Sequence, residues 1–303
     1  MDLLSAVFRE VHFESAGYRW LEMRSPWRID FDRPELRGVH IIARGSCELE
    51  FADGSVDKLD AGDLVILPRG DLHVLRSPGA RMHGVSERRI ADEPQQPGAD
   101  TVIVCGAFLI GEPDHPALRG LPRTVRVAGE NGRPAPWLAP LIDAIKAEAI
   151  AGGPGSDLVM ARLSDAMLLR ALREDSSTVD RPGWLAGLQD PSVGAALEAM
   201  HADLARAWTL ASLAKAAGLS RAAFAARFSE RVGEPAMGYL SALRVQRART
   251  LLADERMTVA AVARQVGYQS EVGFAAAFKR ETGVPPGRYR RGRAAANRDA
   301  PPR

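Results

Sequence analysis

The chain says nearly the same thing twice between residues 208 and 291. The first copy reads TLASLAKAAGLSRAAFAARFSERVGEPAMGY and the second TVAAVARQVGYQSEVGFAAAFKRETGVPPGRY. Ala211, Ala214 and Gly218 match Ala260, Ala263 and Gly267 at an offset of 49 residues. Past that glycine the offset becomes 50, aligning Phe224 with Phe274, Phe228 with Phe278, Gly233 with Gly283, Pro235 with Pro285 and Tyr239 with Tyr289. One residue is inserted in the turn and the register otherwise holds. A repeat of this period constrains the fold before any local pattern does, because both copies must form the same supersecondary unit.

Each copy has the physical requirements of a helix-turn-helix. Leu210, Leu213, Ala214 and Ala217 give a short helix one apolar stripe. Gly218 ends it, being the residue that tolerates positive φ where the chain turns sharply. Ser220 is placed to cap the next helix, whose Phe224 and Phe228 lie four apart and share one face. The second copy repeats this with Val259, Val262, Ala263 and Val266, the Gly267 turn, Ser270 in the cap position, and Phe274 and Phe278. A plain helical hairpin would not need the same turn chemistry in both copies.

Between the copies, residues 235–254 read as one connecting helix with Leu240, Leu243, Leu251 and Leu252 on its apolar side. A rod of about 18 residues spans about 27 Å. That length holds two recognition helices near one turn of DNA apart, about 34 Å, so that one protomer enters two successive major grooves. Residues 191–291 resemble the DNA-binding domain of AraC/XylS-type bacterial transcription regulators, including the closing GVPPGRYRR. The resemblance implies a seven-helix module containing two helix-turn-helix units, double-stranded promoter DNA as partner, RNA polymerase as a further one, and activation as the usual outcome.

Charge agrees with a nucleic-acid partner. From residue 190 onward there are 18 Lys and Arg against 10 Asp and Glu, a net of +8; the rest holds 22 against 28, or −6. The overall +2 therefore hides a strongly basic C-terminal third, which a phosphate backbone would attract. The expected DNA-facing residues are Ser220, Arg221, Ala222, Ala225, Ala226 and Arg227 on the first recognition helix. On the second they are Ser270, Glu271, Val272, Ala275, Ala276 and Lys279, with Arg288 and Arg290 beyond it. The groove-facing alanines and valine lack the bidentate donors of direct readout but pack on thymine methyls. Specificity is accordingly expected from methyl contacts, DNA shape, Arg221 and Arg227, with Glu271 accepting from cytosine.

At 303 residues there is room for two domains, each with its own core. The start, MDLLSAVFREVHFES, has neither the basic head nor the apolar run of a signal peptide, and the longest apolar stretch, Thr101–Ile110, is too short to span a bilayer. Two cysteines do not make a disulfide scaffold. A cytoplasmic protein with no membrane partner is the expectation.

Residues 11–110 alternate as strands do, punctuated by Gly45, Asp53-Gly54, Ala61-Gly62 and Pro68-Arg69-Gly70, which suggests a small β-barrel or sandwich. The segment AGDLVILPRGDLHVL resembles the second signature of the cupin fold, with Pro68, Gly70 and His73 in pattern and Ser77 where Asn is usual. GVHIIARGSCELE resembles the strand-turn-strand preceding it. Together they resemble the cupin-type sensor domain of one branch of the same regulators. Metal-binding cupins place two His and a Glu upstream; here Phe31, Arg33 and Gly38 fall at those positions. His73 survives, with His40 and His83 off-pattern, so no metal and no cofactor are expected.

Cys47 and Cys105, in strands with apolar neighbours, are either inert small hydrophobes or oxidant-sensing thiols that need a nearby cation to lower a pKa. Together with His40 and His73 they form the candidate effector or redox site. Trp20, Trp27, Phe31 and Phe51 are either core or the lining of an effector pocket. From Pro136 the pattern turns helical: Leu138, Leu141, Ile142 and Ile145 form one stripe, Gly152-Gly153-Pro154-Gly155 breaks it, and Leu158, Val159, Leu163, Ala166, Met167 and Leu169 form another. These two helices cover the sheet or dimerise, and the resemblance favours a homodimer.

The expected class is thus α+β in two domains. Residues 1–135 form a cupin-like β-barrel, 136–175 a helical pair, 176–190 a linker, 191–291 the duplicated all-α helix-turn-helix module, and 292–303 a disordered basic tail. The function that follows is a sequence-specific DNA-binding transcription regulator responding to an unknown small molecule or oxidant. The competing reading is a metal-dependent cupin enzyme fused to a DNA-binding module.

Overall fold

The computed structural model describes residues 3–33, 36–79, 98–110, 115–178, 182–253 and 256–299. Helix α1 (Leu3–Glu10) precedes β1 (Phe13–Met23), β2 (Arg28–Phe31), β3 (Arg37–Arg44), β4 (Ser46–Phe51), β5 (Val56–Asp60), β6 (Leu64–Leu67), β7 (His73–Arg76) and β8 (Thr101–Ile110). A short α2 (Pro116–Arg119) comes before β9 (Val125–Val127), and α3 (Leu138–Ala151) and α4 (Ser156–Thr178) follow. The remaining helices are α5 (Trp184–Gln189), α6 (Pro191–Ala202), α7 (Leu210–Ala216), α8 (Arg221–Val232), α9 (Ala236–Leu251), α10 (Val259–Gln265), α11 (Glu271–Thr282) and α12 (Pro286–Asp299). No helix among the described residues is long and apolar enough to cross a membrane.

The first of two units is sheet-rich, built from β1–β9 with α3 and α4. Its strands form a five-stranded sheet of order β1-β8-β3-β6-β9 and a four-stranded sheet of order β2-β7-β4-β5, every pair antiparallel. No ladder among the described residues joins the two sheets. One edge of each is blunted: β5 buries only Leu59 and exposes Val56, Asp57, Lys58 and Asp60, while β9 is three residues long. Short or charged edge strands disfavour further pairing. Alternation sets the core, with Cys47, Leu49 and Phe51 of β4 facing in against Ile42, Ile103, Cys105 and Leu75. β6 reads LVIL and is buried throughout, as a strand covered on both faces must be.

Helix α4 packs on β1 and β9. Tyr18 Oη and Ser164 Oγ are 2.6 Å apart, and Asp165 Oδ1 accepts from the Phe13 N–H at 2.9 Å. Helix α4 thus covers a sheet face, and α3 packs on α4. Arg170 lies over the Trp137 ring at 5.2 Å, which ties α4 to the start of α3.

The second unit is helical and holds α2 and α5–α12. Where the resemblance implies seven helices, α6–α12 supply seven among the described residues. Two boundary expectations are corrected. Residues 184–189, placed in a linker by their sequence, form α5, which packs on α6 and α8 with Trp184 buried; one large aromatic is enough to dock a single helical turn. Helix α12 continues through Asp299, over part of the stretch read as a disordered tail, where Arg and Ala favour helix; residues 300–303 lie outside the described residues. The connecting helix α9 also differs from expectation. It is buried nearly all round, through Tyr239, Leu240, Leu243, Arg244, Val245, Gln246 and Ala248, because α8, α10 and α11 all pack against it. A single apolar stripe describes a surface helix; α9 is a central one.

Candidate nucleic-acid interface and sensor core

The two helix-turn-helix units are set by local chemistry. Thr209 and Ser212 form a reciprocal capping box at the start of α7, and Thr258 Oγ1 accepts from Ala261 N–H at 3.1 Å at the start of α10. Gly218 and Gly267 make the turns at φ +68° and +90°. Ser220 Oγ then accepts from Ala223 N–H at 3.2 Å, and Ser270 Oγ from Gly273 N–H at 3.1 Å, so each recognition helix starts on a serine cap. Gly233 and Gly283 end α8 and α11 in the left-handed conformation.

One aromatic arrangement backs both helices. Phe224 and Phe228 ring centroids lie 5.6 Å apart, with Tyr239 6.0 Å beyond. Phe274 and Phe278 are likewise 5.6 Å apart, with Tyr289 at 5.4 Å. All four phenylalanines are fully buried. With that face committed to the core, the opposite face looks to solvent.

On α8 and its cap, Ser220, Arg221, Ala222, Ala226 and Arg227 are exposed and Ala225 half-buried. On α11 and its cap, Ser270, Glu271, Val272, Ala276 and Lys279 are exposed and Ala275 half-buried; Val272 has 82% of its surface in solvent. Arg288 is exposed. Arg227 and Arg290 have internal partners that the sequence did not announce. Arg227 Nε donates to Asp190 Oδ2 at 2.6 Å, and Arg290 Nη1 to the Met257 carbonyl at 3.0 Å. The Arg227 side chain keeps 46% of its surface exposed. Asp190 also caps α6, accepting from Ser192 N–H and Val193 N–H at 3.0 and 3.1 Å. Buried Arg244 donates to the carbonyls of Leu204 and Arg206 at 2.9 and 2.6 Å, which fixes the loop before α7. Sequence reasoning missed Asp190 and Arg244, whose partners lie 37 to 40 residues away.

The sensor-side residues meet inside the sandwich. Strand register puts His40 of β3 opposite Cys105 of β8, and His73 of β7 opposite both Phe31 of β2 and Phe51 of β4. His40 Nδ1 lies 3.2 Å from Cys105 Sγ and His40 Nε2 lies 2.8 Å from His73 Nε2. His73 Nδ1 is 2.8 Å from the Asp71 carbonyl. Phe31 stacks on His73 at 4.5 Å and meets His40 edge-on at 4.7 Å. His40, read as off-pattern, is therefore the centre of the cluster. Burial pushes His40 well below the usual histidine range, with His73 adding to the effect, and burial also lowers His73. Burial thus favours the neutral form of both rings.

Cys47 and Cys105 are free and buried, and share one core cluster. Burial, followed by Asp63, Asp60 and Glu48, pushes Cys47 up to about 12. Burial, followed by Cys47, raises Cys105 further. Trp27 and Phe51 are buried in that cluster and Phe31 packs against it; Trp20 is half-buried. His83 lies outside the described residues. No group of three or more His, Cys, Asp or Glu among the described residues is placed to hold a metal ion.

Two family models match the chain, Cupin over residues 2–175 and Helix-turn-helix domain over residues 213–292. An AraC-like transcription regulator of Streptomyces lividans is 35% identical over 279 residues, covering 88% of this chain and 90% of its own length. RclR of Escherichia coli K12, named an RCS-specific HTH-type transcriptional activator, is 30% identical over 88% of this chain and 89% of its own. The DNA-binding domain of AdpA, solved in complex with a target DNA, is 29% identical over 37% of this chain and 99% of that chain, with a TM-score of 0.34. Relatives that cover most of the chain are named as regulators, which removes the cupin-enzyme reading. The chain belongs to the AraC family of DNA-binding transcription regulators, in the form that carries an N-terminal cupin domain.

Proposed function

We propose that α8 and α11 are duplicated grips that enter successive major grooves of one promoter duplex, and that the cupin domain conditions their grip on a small molecule or oxidant. The supporting observation is the match between the two units: serine cap, positive-φ turn, Phe–Phe–Tyr backing and a small-residue outer face in each. Helix α9 has 16 residues, about 24 Å at 1.5 Å per residue, which suits units set near one DNA turn apart. Arg221, Lys279, Arg288 and the part-exposed Arg227 make phosphate contacts, while Ala222, Ala226, Val272 and Ala276 pack on base edges. Ser220 and Ser270 hold the helix N-termini, and Ala225 and Ala275 let the backbone approach. Glu271 accepts from cytosine and Arg290 steadies α12 from its carbonyl anchor.

The protein acts in the cytoplasm as a homodimer, with RNA polymerase as a further partner and activation as the outcome. The tip of the helical pair supports the dimer, with Ile150, Leu158 and Val159 exposed by 76%, 55% and 43%. The effector works by stabilising one arrangement of sensor and grips over another, through the cluster of His40, His73, Cys47 and Cys105.

An electrophoretic shift with DNA from upstream of the protein's own reading frame tests the reading. A specific complex, protected from cleavage over two patches one helical turn apart, is expected. Binding of random DNA with equal strength, or one protected patch per protomer, would overturn it.

A further inference from the structure

The hydrogen bonds around His40 leave one consistent arrangement of protons. His73 Nδ1 faces the Asp71 carbonyl at 2.8 Å, and a carbonyl only accepts, so Nδ1 carries the proton and Nε2 of the neutral ring is bare. His40 Nε2, 2.8 Å from that bare nitrogen, must donate to it. Neutral His40 then has a bare Nδ1, and Cys105 Sγ, 3.2 Å away, must donate. The thiol, two imidazoles and a carbonyl thus form one directed chain running from the core towards the loop at Asp71. Asp71 supplies more than its carbonyl: its carboxylate raises His73 electrostatically, and its Oδ2, which has no hydrogen-bond partner, lies 3.7 Å from Arg69 Nε. The outer end of the chain, where an imidazolium would form, thus carries a carboxylate shared with Arg69.

We propose that this chain is a proton relay that makes Cys105 the reacting thiol of the sensor domain and Cys47 its resolving partner. The proposal rests on the oxidant-responsive arm of the function given above. In the step, the Sγ proton passes to His40 Nδ1, the His40 Nε2 proton passes to His73 Nε2, and His73 becomes doubly protonated beside Asp71. Sγ attacks the terminal oxygen of a hydroperoxide; the S–O bond forms, the O–O bond breaks, and the departing oxyanion recovers the relayed proton through solvent. Sulfur is oxidised by two electrons and the peroxide is reduced to an alcohol, or to water when the probe is hydrogen peroxide. Cys47 Sγ then attacks the sulfenic sulfur, closing a Cys47–Cys105 disulfide and releasing one water, its own proton leaving with the hydroxyl. Both sulfurs belong to the same core cluster, so the bond would join β4 of one sheet to β8 of the other. Among the described residues, no Lys or Arg shifts either thiol in the manner of an exposed reactive cysteine; the relay takes that place.

Full-length reduced protein treated with hydrogen peroxide, then iodoacetamide, and read by peptide mass spectrometry tests this. Cys105 is expected to be consumed with formation of the disulfide, and His73→Asn to slow that consumption by about tenfold or more. Thermal melting of the reduced variant checks that it is folded. In Cys47→Ser, which leaves the relay intact, dimedone is expected to trap a sulfenic acid on Cys105; this decides the matter should His73→Asn fail to fold. An unlabelled Cys105 in that variant, or an unchanged rate in folded His73→Asn, would overturn the relay. The DNA shift measured alongside separates the two claims. Peroxide-dependent binding with an inert Cys105 sinks the relay and leaves sensing standing, whereas relay-dependent oxidation without any change in binding sinks the oxidant-sensing reading alone.

Discussion

One carboxylate, Asp190, ends up serving two helices. Its side chain is 2% exposed, caps α6 and holds Arg227 of α8 at 2.6 Å and Arg231 at 3.6 Å. Burial alone would raise its pKa, but the Arg227 hydrogen bond and the α6 backbone N–H groups outweigh it and the net shift is downward. A carboxyl lowered on folding adds stability that is complete above its unfolded pKa, about 3.9, and lost as pH falls through the folded value. Asp190→Asn should therefore flatten the acid limb of the melting-temperature profile below about pH 4. Asp190→Ala should cost about 1–2 kcal/mol in urea unfolding, chiefly the lost cap. Which residues were legible follows from sequence distance. Ser220, Ser270 and the phenylalanine pairs act over three or four positions, and local pattern finds them. The Asp190–Arg227, Arg244–Leu204 and His40–Cys105 pairs span 37, 40 and 65 residues, and only the folded register brings them together.

Among the elements, the two turns look interchangeable in sequence and are not. Both Gly218 and Gly267 take positive φ, but a Cβ on Gly218 would meet nothing within 4 Å. On Gly267 it would lie 2.7 Å from the Ala205 carbonyl oxygen and 2.8 Å from Arg244 Nη2. Gly218→Ala should cost about 1–2 kcal/mol of backbone strain, whereas Gly267→Ala should cost more, because the loop held by Arg244 must also shift. Equal losses in thermal unfolding would refute the asymmetry. The recognition helices invite a different comparison. Val272→Ser should weaken the preferred operator by about 1 kcal/mol and leave random DNA unaffected, as loss of a thymine-methyl contact would. Arg221→Ala should weaken all sequences alike and reduce the salt slope by about one. Competition binding over a salt series distinguishes the two. Sheet closure was the element-level feature that alternation left open, since period two is the same in a barrel and a sandwich.

At the scale of the molecule, charge and apolar surface divide the labour. The net +8 from residue 190 onward, against −6 before it, makes DNA association steeply salt-dependent while the rest of the chain is repelled by the same backbone. If the exposed Ile150 and Leu158 seal a homodimer, Ile150→Glu with Leu158→Glu should halve the mass seen by analytical ultracentrifugation without lowering the melting temperature. The helical unit carries a further consequence. Helix α9 lends Tyr239 to the aromatic stack behind α8, and Val245 and Ala248 to the cluster behind α11. Neither half can therefore come apart while the other stays whole. Amide deuterium uptake in α8 and α11 should proceed by one shared opening event, and a backbone nick inside α9 should leave two fragments that are each unstructured until mixed.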